Sequence, residues 1–545
     1  KQTFPDEWKI GQVILIPKPG KSTAMANAFR PISLLNCMSK LLEHMIAARI
    51  NHELTGKNSL SPNQFGFRTE RSTVDAIRQV LEIADKAKRA SGSSRKKWCA
   101  MITMCVKNAF NTVLWSEIIK ALKKKNISRY LRKFITSYFY NRKIQINGRE
   151  VAVSAGIPQG SVLGPLLWNI FYDELLNLKI PGTTLVSFAD DLALLVVADA
   201  QYHLECRSNS ALDTVFRWME GKKLGLALQK TEAVILYGPR KRDTVSFNIR
   251  NVSIKPIKQL KYLGVIIDQN RSFGPHVEYT TAKAEKAVPS LGRLMPRVGG
   301  PVATARRVML NGVANSVLLY ASPAWYEACK YIKYREKLQS AQRKSLIRIT
   351  SAYRTVSTAA LHVIAAEPPI DLLVQERHAL FEKSKKEKIT EGIRQQEKRL
   401  VVSRWQTRWT AESKGAWTKK LIPSINEWCH CKHKKLNFHL TQFLTGHGAF
   451  LSYTKRIGKS EDDICPHCNI IDSPEHIFSC RRWEYDISEV QNELGVDLKP
   501  ENLIKLMLES QNNWDQICEL LIRIMKAKEK EEWDKQRQES RVLTF

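Results

Sequence analysis

The stretch LVSFADDLALLVV, residues 185–197, constrains the chain most. Two apolar runs, 184–189 and 192–198, are separated only by Asp190 and Asp191. That pattern predicts a β-hairpin with both acids at its tip. Carboxylates so close to buried strands are costly unless they are paired or bound to metal. A simple polar turn is the plain alternative, but the tight apolar flanks favour a site. Adjacent strand residues point to opposite faces, so one acid leads inward while its neighbour lies nearer the periphery.

Paired carboxylates of this kind suit two-metal nucleotidyl transfer, with divalent ions about 3.5–4 Å apart. Magnesium prefers such hard oxygen ligands. The charge balance points the same way. Lys and Arg number 86 against 53 Asp and Glu, a net charge of +33 over 545 residues. That excess favours a polyanionic partner, nucleic acid before an anionic membrane, because the cations are dispersed and no amphipathic anchor accompanies them. No run of eighteen apolar residues occurs, so no membrane span is expected. The start, KQTFPDEWKI, has neither an initiating Met nor a signal-peptide core and reads as a piece of a longer polypeptide. Eleven cysteines without a secretory signal argue against a disulfide scaffold and for a reducing compartment.

Along the chain, Val13 to Ile16 reads as a strand broken at Pro17 and Pro19. The segment from Phe29 reads as a turn leading into a helix, with Leu34, Met38, Leu41, Leu42 and Met45 on its apolar face. Ser72 reads as a helix N-cap. Residues 98–106 look like a buried strand and Val113 to Lys125 like a helix. From about 275 onward the pattern is helical and basic, and residues 376–435 carry sixteen Lys and Arg against seven Asp and Glu.

FADD on such a hairpin resembles motif C of reverse transcriptases. Its neighbours resemble the other motifs in order: IPQGSVLGPLLWNIF motif B, GLALQKTEAVIL motif D, LKYLGVIID motif E, and IPKPGK, FRPISLL and NQFGFRTERSTVDAI those of the fingers. FADD with Leu-Gly in motif E is similar to non-LTR (LINE-like) retrotransposon polymerases. YRTVSTAALHVIAAEPPIDLL and a terminal Cys/His cluster look most like the arthropod elements that insert into ribosomal RNA genes. The resemblance spans roughly residues 8–485. It implies an α+β right-hand polymerase: fingers over 1–97, a palm with antiparallel sheet and catalytic hairpin over 98–268 (the whole reverse transcriptase domain about 8–268), and a helical thumb over 269–375. A basic helical linker over 376–440, a zinc-knuckle region over 441–490 and a helical tail over 491–545 would follow. It also implies RNA template, DNA primer and deoxynucleoside triphosphates as partners, Mg2+ as cofactor, no membrane, and work in the nucleus.

Residue by residue, the resemblance aligns Lys107-Asn108-Ala109-Phe110 with motif A, which puts Cys105 where the family has its third catalytic Asp. No other acid lies between Cys99 and Trp115, so a one-residue slip cannot rescue it. A thiol is soft, mostly neutral at pH 7 and a poor magnesium ligand. Phe110 matches the gate that excludes a ribose 2′-hydroxyl, with a core Phe as the alternative. Gln159 and Gly160 match the turn that meets template and incoming nucleotide. Lys230 matches the lysine that protonates pyrophosphate, and Lys18 and Arg30 match cations that grip triphosphate; ordinary surface charge is the alternative for all three. The chain then reads as an RNA-directed DNA polymerase impaired by Cys105, with a catalytically dead nucleic-acid-binding relic as the alternative.

A second cluster, Cys465-x2-Cys468-x7-His476-x3-Cys480, has the count and compactness of a closed structural zinc site. His467 is not expected to ligate, nor is the Cys-x-Cys of WCHCKHKKLNFH, which reads as a basic loop. The similar family motif has four residues before its last Cys, where this chain has three. Trp405, Trp409, Trp417 and Trp428, interleaved with Arg and Lys, fit either base stacking or a core face.

Overall fold

The computed structural model describes residues 2–292 and 303–542, apart from 19, 21, 23, 26, 27, 57, 58, 91–96, 240, 241 and 243. Pro19 thus lies outside the described residues. The chain divides into two compact units, Lys1–Pro275 and His276–Phe545.

In the first unit, β1 (Ile10–Pro17) pairs antiparallel with β2 (Phe29–Leu34). The turn expected at Phe29 is therefore a strand. Its Pro31 is tolerated because β2 is the edge of its sheet, where a missing N–H leaves no ladder bond unmade. Helix α1 (Cys37–Glu53) also departs from expectation, burying Ser39, Glu43, Ile46 and Ile50. Met38, Leu41 and Met45 of the expected apolar face stand 55%, 56% and 51% exposed, and Leu34 is exposed too. The cause is a buried acid. Glu43 accepts from the backbone N–H of Val162 (2.7 Å) and Leu163 (3.0 Å), at the start of the Leu163–Leu176 helix. A carboxylate satisfying free N–H groups at a helix start is stabilising, and it turns α1 away from its apolar stripe. Helix α2 (Thr73–Arg89) begins with the expected Ser72 cap, closed into a capping box by Asp75.

Strand β3 (Trp98–Cys105) begins a second sheet. Strands β4 (Lys143–Ile146) and β5 (Arg149–Ala152) return to the first, giving the order β2-β1-β4-β5. Then β6 (Thr183–Phe188), β7 (Asp191–Ala198) and β8 (Glu232–Tyr237) complete the second sheet in the order β6-β7-β3-β8, antiparallel throughout. Successive residues Ala100, Met101 and Ile102 are all fully buried, so this sheet is covered on both faces. That coverage explains why its strands read as unbroken apolar runs. Around the sheet, Trp168, Phe171, Tyr172 and Phe139 fill a single core.

The second unit is helical. Residues 376–440, expected as a basic linker, supply Val401, Trp405, Trp409, Leu421, Ile425 and Trp428 to its core. Trp405, Trp409 and Trp428 are at most 3% exposed, and the Trp409 indole donates to Ile422 O at 2.9 Å. The stacking reading of these three is therefore corrected: their flat faces are packed by protein. Trp417 is half-buried and donates to Phe443 O at 2.7 Å. Among the described residues no helix is long and apolar enough to cross a membrane.

Replacing Trp428 with Ala is expected to cost about 3–5 kcal/mol, the usual loss for deleting a fully buried indole. Thermal unfolding measures it. An unchanged midpoint together with weakened RNA binding would restore the stacking role.

Candidate active site

The β3–β7 ladder builds the site. It runs in register from Trp98↔Ala198 to Cys105↔Asp191, so the last pair brings Cys105 and Asp191 directly opposite one another, side chains on the same face. Strand β6 meets the same residue through Phe188↔Asp191. Between β6 and β7 the chain turns on Ala189, whose φ of 59° is left-handed and uncommon for a residue with a Cβ. Asp190 follows in the turn. Beyond β3, Ala227 N donates to Cys105 O at 3.0 Å and Lys230 N to Ala227 O at 2.8 Å, which fastens the Lys230 segment beside the strand end.

The electrostatics bear the marks of crowding. Burial, then the charge of neighbouring Asp190, pushes the Asp191 carboxyl up to about 6, with Lys230 pulling the other way. Burial also raises Asp190. The Cys105 thiol is raised by burial first and by Asp191 and Asp190 next, so it stays protonated at neutral pH. Cys105, Asp190, Asp191 and Lys230 thus form one interacting group. Two of its members are hard carboxylate oxygens suited to magnesium; the neutral thiol is not.

Around it, Phe110 is half-buried, its ring 5.2 Å from that of Trp168 and edge-on to Phe67 at 6.2 Å. The motif B segment docks on the same stretch. Ile157 N donates to Phe110 O at 2.6 Å, and Gln159 Nε2 to Asn111 Oδ1 at 3.3 Å. Gly160 cannot be replaced without strain. Its φ is 127°, and an added Cβ would lie 2.4 Å from Ser33 O. Ser33 N in turn donates to Gln159 O at 2.7 Å, tying the motif B turn to β2. Lys18 follows β1, its N–H donating to Ala28 O at 2.7 Å, and Arg30 is exposed on β2 opposite Ile16. Sequence reasoning missed Glu43, Gln64 and Gly66, which hold the motif B helix and the acidic turn. Only the Gly of NQFGFR gave any local signal.

In the second unit, Cys465, Cys468, His476 and Cys480 bring their ligand atoms within 4.8 Å of one another. A bridge between Ile464 and Ile471 closes the turn that carries Cys465 and Cys468, with Cys465 N donating to Ile470 O at 2.7 Å. His476 sits on the 3-10 turn Glu475–Ser479, and its Nε2 is buried without a hydrogen-bond partner. A free ring nitrogen facing three thiols is what a tetrahedral zinc site needs. His467 is exposed and pairs with Arg482 instead.

Comparison with known proteins agrees with this geometry. Residues 16–267 match the family described as reverse transcriptase (RNA-dependent DNA polymerase). The chain is 28% identical over 525 residues to a putative 115 kDa protein in the type-1 retrotransposable element R1DM of Drosophila melanogaster, covering 92% of this chain and 50% of that protein. It is 28% identical over 491 residues to the Pol polyprotein of the type-1 retrotransposable element R1 of Bradysia coprophila, covering 85% and 47%. The chain therefore spans about half the length of these curated relatives. Among solved structures, a telomerase of Candida tropicalis in complex with a TWJ fragment of telomeric RNA aligns with 72% of this chain and 64% of its own, at a TM-score of 0.38 and 10% identity, too remote to argue from. Residues 16–267 thus match the reverse transcriptase family, and over most of its length the chain is similar to proteins of arthropod non-LTR retrotransposable elements.

Proposed function

We propose that this chain is the polymerase body of a retrotransposon protein that copies element RNA into DNA from a primer in target DNA, and that Cys105 leaves its chemistry impaired. The observation that carries the reading is the cross-strand pair Cys105↔Asp191, beside Asp190. It supports an alignment in which the thiol occupies the third carboxylate's position. Asp190 and Asp191 would hold magnesium. When bound, such a metal pair activates a primer hydroxyl and stabilises the leaving pyrophosphate. Lys230 would deliver a proton to that pyrophosphate, Phe110 would exclude the ribose 2′-hydroxyl, and Gln159 and Gly160 would bear on template and nucleotide. Lys18 and Arg30 would grip the triphosphate. Cys465, Cys468, His476 and Cys480 would hold a structural zinc, and the work would take place in the nucleus.

The second reading, a nucleic-acid-binding relic, is favoured by the same thiol. The net charge of +33 supports binding whether or not chemistry survives.

Primer extension on an RNA template separates the two. The chain with Cys105 is expected to extend little or not at all, and Cys105→Asp to gain magnesium-dependent extension. The expected gain is about a hundredfold to a thousandfold, since several kcal/mol of charge stabilisation is at stake and each 1.36 kcal/mol is about tenfold. Asp190→Asn in the repaired chain should abolish it. Robust extension by the unaltered chain would refute the impairment, whereas no gain from Cys105→Asp with RNA binding intact would favour the relic.

Metal analysis of the intact chain is expected to find about one zinc, and its removal to cost residues 460–485 their order. Zinc-free protein of unchanged hydrogen exchange there would exclude the site. RNA affinity should fall steeply with salt through counterion release, and neutralising Lys and Arg over 376–435 should flatten that slope. Binding indifferent to salt would count against an electrostatic interface.

A further inference from the structure

Ala189 raises a question that the motif alone does not answer. The turn carrying Asp190 stands on a left-handed non-glycine residue, and such backbone persists only when its surroundings over-determine it. The surroundings here are the loop between Ser61 and Arg68. Gln64 is 1% exposed. Its Oε1 accepts from Ala189 N at 3.2 Å and from Gly66 N at 3.1 Å. Both partners are N–H groups, which fixes the amide's orientation and aims its Nε2 at Ala189 O, 3.5 Å away. The same carbonyl accepts from Ser187 Oγ at 2.8 Å. The two peptide groups that flank Ala189 in the acidic turn are therefore both held.

The loop reaches the turn only because residue 66 is glycine. A Cβ there would lie 2.2 Å from Ala189 N and 2.9 Å from Phe188 C, both backbone atoms that cannot swing aside. Its far side is anchored as well. Asn169, in the Leu163–Leu176 helix, donates to Gly66 O at 2.9 Å; Phe65 N donates to Ser187 O at 2.8 Å; and Ser187 N donates to Asn63 O at 2.9 Å. Arg68 closes the loop on Ser61 O and Gln64 O.

We propose that Gln64 and Gly66 are positioning residues: they clamp the backbone on both sides of Ala189 and so set the direction in which Asp190 and Asp191 present their carboxylates. The proposal rests on the reading of those carboxylates as the metal-holding pair. Neither residue touches a reacting atom. Their effect passes through the turn, as the partners of metal ligands commonly orient those ligands.

The test uses the full, zinc-loaded chain in two backgrounds. In the chain as it stands, Gln64→Met keeps the volume and removes both hydrogen-bonding atoms. Amide exchange over 187–191 is expected to accelerate at least tenfold, while thermal unfolding stays cooperative. In the Cys105→Asp chain, Gln64→Met and Gly66→Ala are expected to weaken Mn2+ binding about tenfold to a hundredfold. They should also lower kcat with little change in the nucleotide KM. A purely structural residue would lower the melting midpoint and leave Mn2+ affinity alone. Unchanged exchange overturns the clamp. Faster exchange with unaltered Mn2+ affinity and kcat overturns the positioning role. If the Cys105→Asp chain with Gln64 intact neither binds Mn2+ nor extends a primer, the reading of the site fails and takes the positioning role with it, while the exchange arm still reports on the clamp itself.

Discussion

Strand β3 is gripped from both sides, by β7 along its whole length and by β8 over most of it, and the site depends on that double register. Side chains alternate along a strand, so a slip of one residue would send every side chain to the opposite face, where the close-packed core is shaped for a different one, and carry Cys105 away from Asp191. With both faces of the sheet buried, such a slip is prohibitively costly. The opposition of thiol and carboxylate is thus a consequence of core packing, imposed from residues as distant as Trp98↔Ala198. What stands at position 105 is held against Asp191 whether or not it suits the chemistry there.

That rigidity gives the thiol a physical consequence. Asp191, with its pKa raised to about 6 from an ordinary 3.8, contributes stability only while protonated; the contribution is full below the unfolded value and lost as pH rises through 6. At neutral pH the acidic pair is therefore a cost the fold bears without metal. A third carboxylate at 105 would add to that repulsion, and only bound cations would offset it. The neutral Cys105 spares the metal-free protein this strain at the expense of a hard ligand. On the proposed reading of the site, function and metal-free stability would pull in opposite directions at this position, the usual tension at a preorganised site.

What could be read in the sequence was local. The hairpin around Asp190 and Asp191, the Ser72 cap and the compact spacing of Cys465, Cys468, His476 and Cys480 are all written within a few residues, and the structure brings each together. The face of α1 was not legible, because the partners of Glu43 lie 119 and 120 residues further on. Periodicity favoured Met38 and Leu41; a remote helix start outweighed them. Pro31 read as a turn because nothing local says that its strand is an edge. The spacing of Trp405 and Trp409 fitted core and stacking equally, and only burial decides between them. Gln64 was invisible for the same reason as Glu43: a buried amide takes its meaning from a turn more than a hundred residues away.

The cysteine cluster in the second unit follows the same logic of shared packing. Cys465, Cys480 and Ile477 belong to one apolar core with Trp428, Trp514 and Leu521. Asp472, buried just before His476, receives both contacts of Lys528 at 2.8 Å from the long Gln511–Val542 helix, and Arg482 pairs with Glu531 of that helix. A knuckle hung on a flexible arm could gain or lose metal without consequence for its neighbours. Here the thiols, the paired Asp472 and the helix carrying Lys528 are consecutive layers of one packed body. Zinc held by the cluster would therefore bear on the order of the whole core, because each layer is immobilised only against the next.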